Sequence, residues 1–292
     1  MTDAVVIAGR SGWRTRWRAV LRMDPLALAG LVVVAGLAVV ALLGPAIAPY
    51  PDQGTGTANV AEAMQAPGPG HLLGTDQLGR DVLSRIIVGA RNALGVSLAV
   101  VGLAIAIGVP LGAIAGYRRG AIDAVIMRAT DLALAFPPLL LAMAIVAALG
   151  PGLEHAALAL AISWWPWYAR LARAAAVSLR ERPFVEAARA IGVSDRRIII
   201  RHVIPNSLSP IIVQATVDIG TVILAAGSLA FIGLGARAPQ ADWGLMVAEG
   251  RTVILDQWWI PTFPGLAIFV SVLAFNLVGD GLRDRFDPRR RR

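Results

Sequence analysis

This 292-residue chain contains no lysine and no cysteine. All 27 of its basic residues are arginine. Without lysine there is no phosphate-binding G-x4-G-K-[ST] loop, no Schiff-base nucleophile and no Ser-Lys dyad, so P-loop hydrolysis of a nucleotide would have to occur on another subunit. Without cysteine there are no disulfides and no thiolate chemistry, an absence that says nothing about compartment. Histidine is scarce: His71, His155 and His202 are scattered and lack H-E-x-x-H spacing, which argues against a zinc centre. Glu154 and His155 are adjacent rather than a turn apart and read as loop polarity. Charge itself is sparse, at 16% of residues against 57% hydrophobic, and the mean hydropathy is +0.66. These values point to an integral membrane protein.

The apolar residues fall into six runs, at about 26–48, 93–116, 121–150, 156–179, 210–233 and 261–282. Each supplies the ~20 residues needed to cross about 30 Å of hydrocarbon. The first is entered by Asp24 and Pro25, an N-cap followed by a proline at the first helical position. It is too long for the apolar core of a signal peptide and lacks an A-x-A cleavage pattern, so it reads as a span. Arginine placement sets the orientation. With the N-terminus inside, 22 of the 27 arginines lie on inner segments. Only Arg80, Arg85, Arg91, Arg237 and Arg251 fall outside, where acidic residues outnumber them. The positive-inside rule then places both termini in the cytoplasm. The sequence predicts an all-α, six-helix protein: an N-terminal cytoplasmic segment 1–24, a membrane domain 25–282 and a basic tail 283–292. That tail, "RDRFDPRRRR", reads as a contact with anionic headgroups rather than with nucleic acid.

Within the second run, Gly108, Gly112 and Gly116 repeat at four-residue spacing and form a close-packing row, either inside the chain or against another subunit. Pro110 and the pair Pro137 and Pro138 imply kinks in their helices. Charge within the runs is confined to Asp123, Arg128 and Asp131 in the first turns of the third, Arg170 and Arg173 in the last turns of the fourth, and Asp218 and Asp280 in the last two. Asp131 and Asp280 sit near helix ends, where capping or pairing with Arg128 or Arg283 accounts for them. Asp218 lies deeper, with Gln214, Thr216 and Thr221 nearby. With Asn276 on the last span, Asp218, Gln214 and Thr221 are the candidate translocation-path residues. There are too few carboxylates and histidines for a proton relay, which argues against a self-sufficient secondary transporter.

Two outer segments carry pattern. In residues 74–91, Thr75 is a candidate N-cap, Leu78, Val82, Ile86 and Ala90 repeat every four residues, and Asp76 with Arg80 and Asp81 with Arg85 form i, i+4 pairs. This predicts a surface amphipathic helix before the second span. Residues 238–261 are too polar to span, and Trp258 and Trp259 suit an interfacial belt. Asp76, Arg80, Asp242 and Trp243 in these segments are candidate contacts for an extracytoplasmic partner.

Residues 180–201, "RERPFVEAARAIGVSDRRIIIR", carry nine charges between apolar runs. Ala188, Gly192 and Ile198 fit the A-x3-G-x5-I pattern of a helix-turn-helix. Pro183 suits the start of a short helix and Gly192 its C′ position. Phe184, Ala188 and Ile191 are expected on one face, with Arg182, Glu186 and Arg189 on another. Ser194 is placed to cap a second helix with Asp195 in its first turn, and Pro205 marks the next boundary. A DNA reader is excluded by context: Ile198, Ile199 and Ile200 occupy what would be the recognition helix, and a membrane span begins a few residues after Pro205. A two-helix elbow held between spans is suited to transmitting force from a cytoplasmic partner.

The run "EAARAIGVSDRRIIIRHVIPN" resembles the EAA loop of permease subunits of ATP-binding-cassette importers, on Glu186, Ala187, Ala188, Gly192, Ile204 and Pro205. His202 replaces the usual isoleucine, as is frequent in the peptide-importer branch. "HLLGTDQLGRDVLSRIIVGAR", "SLAFIGLG", "WGLMVAEGR" and "FNLVGDGLRDRFDPR" are similar to the C-type permeases of dipeptide, oligopeptide and nickel importers. The resemblance extends from about residue 20 to 290. It implies a type I importer fold, a second permease subunit, and two ATPase subunits carrying ATP and Mg, with no cofactor on this chain. It also implies an extracytoplasmic substrate-binding protein or lipoprotein and an EAA loop at 180–206 seated on an ATPase. Phe184, Glu186, Ala187, Ala188, Arg189, Gly192, Ser194, Asp195 and Pro205 would make that coupling contact. The cargo implied is di- or oligopeptide, with nickel or another small solute as the alternative. A stand-alone channel or carrier would instead transport without ATP, and a membrane enzyme lacks a nucleophile–base pair here.

Overall fold

A computed structural model describes residues 24–286, so most of the 1–24 segment and the end of the 283–292 tail lie outside the described residues. The described chain is helical, with an isolated bridge between Thr75 and Asp81 in place of any strand. Helix α1, Pro25–Ile47, starts as expected: the Asp24 carboxylate accepts the Leu26 N–H at 2.8 Å, and Pro25 takes a position that needs no donor. A short helix α2, Pro51–Thr55, and a 3-10 turn, Val60–Glu62, lead into an ordered loop.

The expected surface helix from Thr75 is not formed. Residues 74–80 are loop, and Asp81 caps a single 37-residue helix α3, Val82–Arg118, by accepting the Ser84 N–H at 2.7 Å. The helix that carries the second apolar run therefore starts eleven residues before that run. The predicted Asp81–Arg85 side-chain pair is replaced by other partners, because Asp81 serves as the cap and Arg85 turns toward Asp76 and Glu249.

Helices α4, Gly120–Leu134, and α5, Pro138–Leu149, meet at an 85° bend. The Pro137 and Pro138 pair accounts for this: neither supplies an N–H, and each disfavours helix in the residue before it. Next come α6, Leu153–Arg180, and α7, Pro183–Ala190. Then follow α8, Asp195–Ile198, a π turn, Ile199–Val203, and α9, Ile204–Asn206. Helices α10, Leu208–Phe231, α11, Trp243–Gly250, and α12, Trp259–Phe286, complete the described residues.

Among the described residues, four helices, α1, α3, α10 and α12, are long and apolar enough to cross a membrane, and the bent pair α4/α5 raises the number to five. The 28-residue α6 has the length, but Trp164 to Tyr168 and the arginines at 170, 173 and 180 make it less apolar. By length and composition, then, four to five helices stand where six were expected.

Helix α3 packs most extensively on α6. A Cβ on Gly108, Gly112 or Gly116 would collide with the backbone carbonyls of Trp165, Ala169 and Arg173. The glycine row thus serves packing inside the chain, letting two helices touch backbone to backbone. Ion pairs fasten α4 to the same helix: Arg173 grips Asp123 with two bonds of 2.6 Å, and Arg170 reaches Asp131 at 2.6 Å. Arg170, from another helix, takes the role expected of Arg128. One core cluster lies among α3, α6 and α10, including Val100, Leu160, Tyr168, Ile211 and Leu229. A second joins α1, α3, α11 and α12 through Val82, Trp243, Trp259 and Phe275.

Candidate functional site

The loop between α6 and α10 is built from local signals. Pro183 opens α7, and Gly192 closes it at φ +79°. The Gly192 N–H donates to Arg189 O and the Val193 N–H to Ala188 O, both at 3.0 Å. These paired reverse bonds make a Schellman cap, with Gly192 at the C′ position as expected. Ser194 stands at the start of α8, but its hydroxyl makes no capping bond. Pro205 does not end the structure. It sits within α9 just after the π turn, where the wider turn accommodates the missing proline N–H, and the helical path continues toward α10.

The expected apolar face of α7 is divided. Val185 and Ala188, a turn apart, are buried, whereas Phe184 and Ile191 are 43% and 81% exposed. Phe184, Ala187 and Ile191 lie at i, i+3, i+7 on the side facing away from the bundle, beside exposed Glu186 and Arg189. The isoleucine run anchors the elbow: Ile198, Ile199 and Val203 join Ala113, Tyr117, Ala176, Val185 and Ala188 in one core.

Tyr117, near the end of α3, donates to Asp195 Oδ1 at 3.2 Å and accepts from Arg189 Nη2 at 3.2 Å. The Arg189 guanidinium also stacks 5.5 Å from the Tyr117 ring centre. One buried phenol therefore holds α7 and α8 onto α3.

Near the middle of α10, Asp218 is buried between helices. Its two oxygens accept from Tyr168 on α6, at 2.7 Å, and from Gln214, at 2.9 Å. Thr221 and Asn276 do not join this group: each donates to a carbonyl of its own helix, at Val217 and Val272. Asp218 thus links the two helices that flank the loop.

Comparison with known proteins shows the family of the chain. Residues 108–292 match the family described as binding-protein-dependent transport system inner membrane component. Residues 11–67 match the N-terminal TM domain of oligopeptide transport permease C. The chain belongs to this family of inner-membrane transport components. It is 44% identical over 279 residues to a dipeptide transport system permease protein, DppC, of Alkalihalophilus pseudofirmus, covering 96% of this chain and 90% of the relative. It is 43% identical over 269 residues to a probable D,D-dipeptide transport system permease protein, DdpC, of Escherichia coli K12, covering 92% and 89%. A glutathione transport system permease protein, GsiD, of Pectobacterium atrosepticum is 41% identical over 280 residues, covering 96% and 92%. Among solved structures, a chain of the inward-facing MetNI methionine ABC transporter superposes with TM-score 0.57 at 18% identity, covering 69% of this chain and 96% of its own; it shares the fold.

At the other end of this permease, the residues expected to face a partner are buried: Asp76 is 2%, Arg80 1%, Asp242 7% and Trp243 3% exposed. They form a cap. Asp76 Oδ2 accepts from Arg80 and Arg85, each at 2.7 Å, and Glu249 Oε2 on α11 accepts from the same arginines at 3.1 and 2.9 Å. Two cations face two anions, which is how charges survive burial. His71 lies between Asp81, at 2.9 Å, and Glu62, at 3.2 Å. The Trp243 indole donates to Ile86 O, and Asp242 caps α11 through the Leu245 N–H at 3.0 Å. Burial pushes the Asp242 carboxyl above the usual carboxylate range, against the lowering effect of the Leu245 and Gly244 N–H groups and the Arg85 charge.

Sequence reasoning missed Tyr117, Tyr168 and Glu249. The tyrosines carried a signal in their scarcity. The chain has three, and a phenol within apolar surroundings needs a partner. Tyr50 differs in that its bond is exposed, its hydroxyl donating to Gly70 O at 2.7 Å.

Proposed function

We propose that this permease is one of two permease subunits of an ATP-binding-cassette importer for short peptides, most simply paired with a different chain. It spans the membrane six times, α6 supplying the remaining span, with both termini cytoplasmic. The arginine distribution supports that orientation, since 22 of 27 arginines then lie inside. Two ATPase subunits, holding ATP and Mg, bind the loop at 180–206, and an extracytoplasmic binding protein delivers the peptide. Relatives named for dipeptide, D,D-dipeptide and glutathione transport share peptide-like cargo, which supports peptide over nickel.

The observation that carries this reading is the exposed apolar edge of α7. Phe184 and Ile191 project from a helix that is capped at its end and anchored to α3, and they stay exposed although the His202 ring lies 6.2 Å from that of Phe184. Apolar anchors on a rigid element are how a partner surface is engaged. Closure of the ATPase pair would push α7, and the Tyr117 and Tyr168 contacts would pass that push to α3, α6 and α10.

The test is to purify the chain with co-expressed ATPase and binding proteins and measure ATPase stimulation by dipeptides, oligopeptides and Ni²⁺. Stimulation by peptide is expected. Stimulation by Ni²⁺ alone would overturn the cargo assignment, and transport without ATP would overturn the importer reading.

A further inference from the structure

A cavity of about 620 Å³ opens beside the loop, at the junction of α3, α4, α6, α7 and α8. It is lined by Arg118, Arg119, Arg180 and Arg189, with Asp195 as its one carboxylate. Four cations and one anion leave a net charge of +3 around this space. Outside the lining, Glu181 pairs with Arg119 at 2.9 Å, but it is 70% exposed and screened by water. Asp195 lies 4.0 Å from Arg118, a loose contact. Arg180 makes no ion pair among the described residues. Arg118 and Arg119 are 48% and 45% exposed, so water screens their mutual repulsion too; what marks the cluster is that four guanidinium forks converge on one space, a geometry that fits a phosphate.

What borders the cavity indicates which anion. Tyr117, Ala121 and Ile122 complete its wall. From Ile122 an exposed apolar stripe runs up α4 through Val125, Ala129 and Leu132, at i, i+3, i+7 and i+10. At 1.5 Å per residue this stripe is about 15 Å long. A phosphate held by the arginines would place attached acyl chains along it. The geometry points to a binding site for an anionic phospholipid, with its phosphate among Arg118, Arg180 and Arg189 and an acyl chain on the α4 stripe. Because Arg189 and Asp195 also hold Tyr117, an occupied site stabilises the loop on α3 and favours coupling. The site rests on the membrane-spanning reading of these helices and is independent of the cargo.

The test uses the full-length permease with its co-expressed subunits, exchanged into phosphatidylglycerol or phosphatidylcholine, with retained lipid measured by native mass spectrometry. Wild type is expected to retain phosphatidylglycerol over phosphatidylcholine. The double variant Arg118→Gln/Arg180→Gln should weaken that retention about tenfold or more, since each lost contact is a charged hydrogen bond. Ile122→Glu, which leaves the arginines in place, should also lower it, and Arg237→Gln at the opposite end should not. Unchanged phosphatidylglycerol retention in both site variants overturns the proposal. Displacement of the lipid by millimolar inorganic phosphate would assign the cavity to a soluble phosphate instead. Loss of the ATPase subunits with lipid retention intact would assign it to an acidic ATPase segment. None of these readouts requires peptide uptake, so failure here is separable from failure of the importer reading.

Discussion

Replacing Gly192 separates backbone geometry from packing in the coupling loop. A Cβ built at this position meets nothing within 4 Å, so a side chain there has room. What it lacks is a comfortable conformation, since φ is +79°. An L-residue in the left-handed region costs about 1–2 kcal/mol, which lowers the ratio of capped to frayed α7 by roughly 5–30-fold. Fraying breaks the bonds to Arg189 O and Ala188 O and releases Val193 from the elbow core. Asparagine tolerates the left-handed region better than alanine, and valine worse than either. Proline excludes it and also removes the N–H that reaches Arg189. Peptide-dependent ATPase stimulation and uptake should therefore fall in the order Gly, Asn, Ala, Val, Pro, while the amount of chain in the membrane stays constant. Wild-type uptake in Gly192→Val or Gly192→Pro, or an asparagine variant weaker than valine, would falsify the claim that this cap holds α7 in its working position.

Other outcomes follow from the same structure. Gly112→Ala forces a methyl into the Ala169 carbonyl and should cost about 1–3 kcal/mol by overpacking. Gly102→Ala, with nothing near it, should be neutral or stabilising by about 0.5–1 kcal/mol, and thermal melts of the two variants check the contrast. Glu249→Gln leaves Arg80 and Arg85 facing a single carboxylate; because Glu249 is 23% exposed, we expect a loss toward the lower end of the ~3–5 kcal/mol for breaking a buried pair, read as a lower melting temperature. Tyr168→Phe and Asp218→Asn should not be additive in a double-mutant cycle, with a coupling of about 1.5–3 kcal/mol between them; additive losses would refute the buried contact. Asp242 has its carboxyl pKa raised by burial, so the folded state holds this proton more tightly than the unfolded chain does. Its contribution is thus most favourable at acid pH and is lost as pH rises from the unfolded value through the raised folded one. Asp242→Asn, which can still cap α11, should flatten that decline and raise the melting temperature at neutral pH.

The sequence alone determined what depends on local or compositional physics. Hydropathy set the membrane class. The start of α1 at Asp24 and Pro25, the bend at Pro137 and Pro138, and the Gly192 cap were legible because each depends on one or two residues and their backbone. Tertiary structure decided everything that required knowing which surfaces meet. The i, i+4 pattern at residues 74–91 suggested a surface helix, but Asp76 and Arg80 were buried by Arg85 and by Glu249, more than 160 residues away. Phe184 and Val185 are neighbours of similar polarity, and only the position of α3 and α6 made one an anchor in the core and the other an exposed edge. The glycine row fitted a seam within the chain or between chains until the α6 carbonyls filled it. A sequence records each residue's preference for burial or charge, whereas the partner that satisfies it is chosen by the packing of helices distant along the chain.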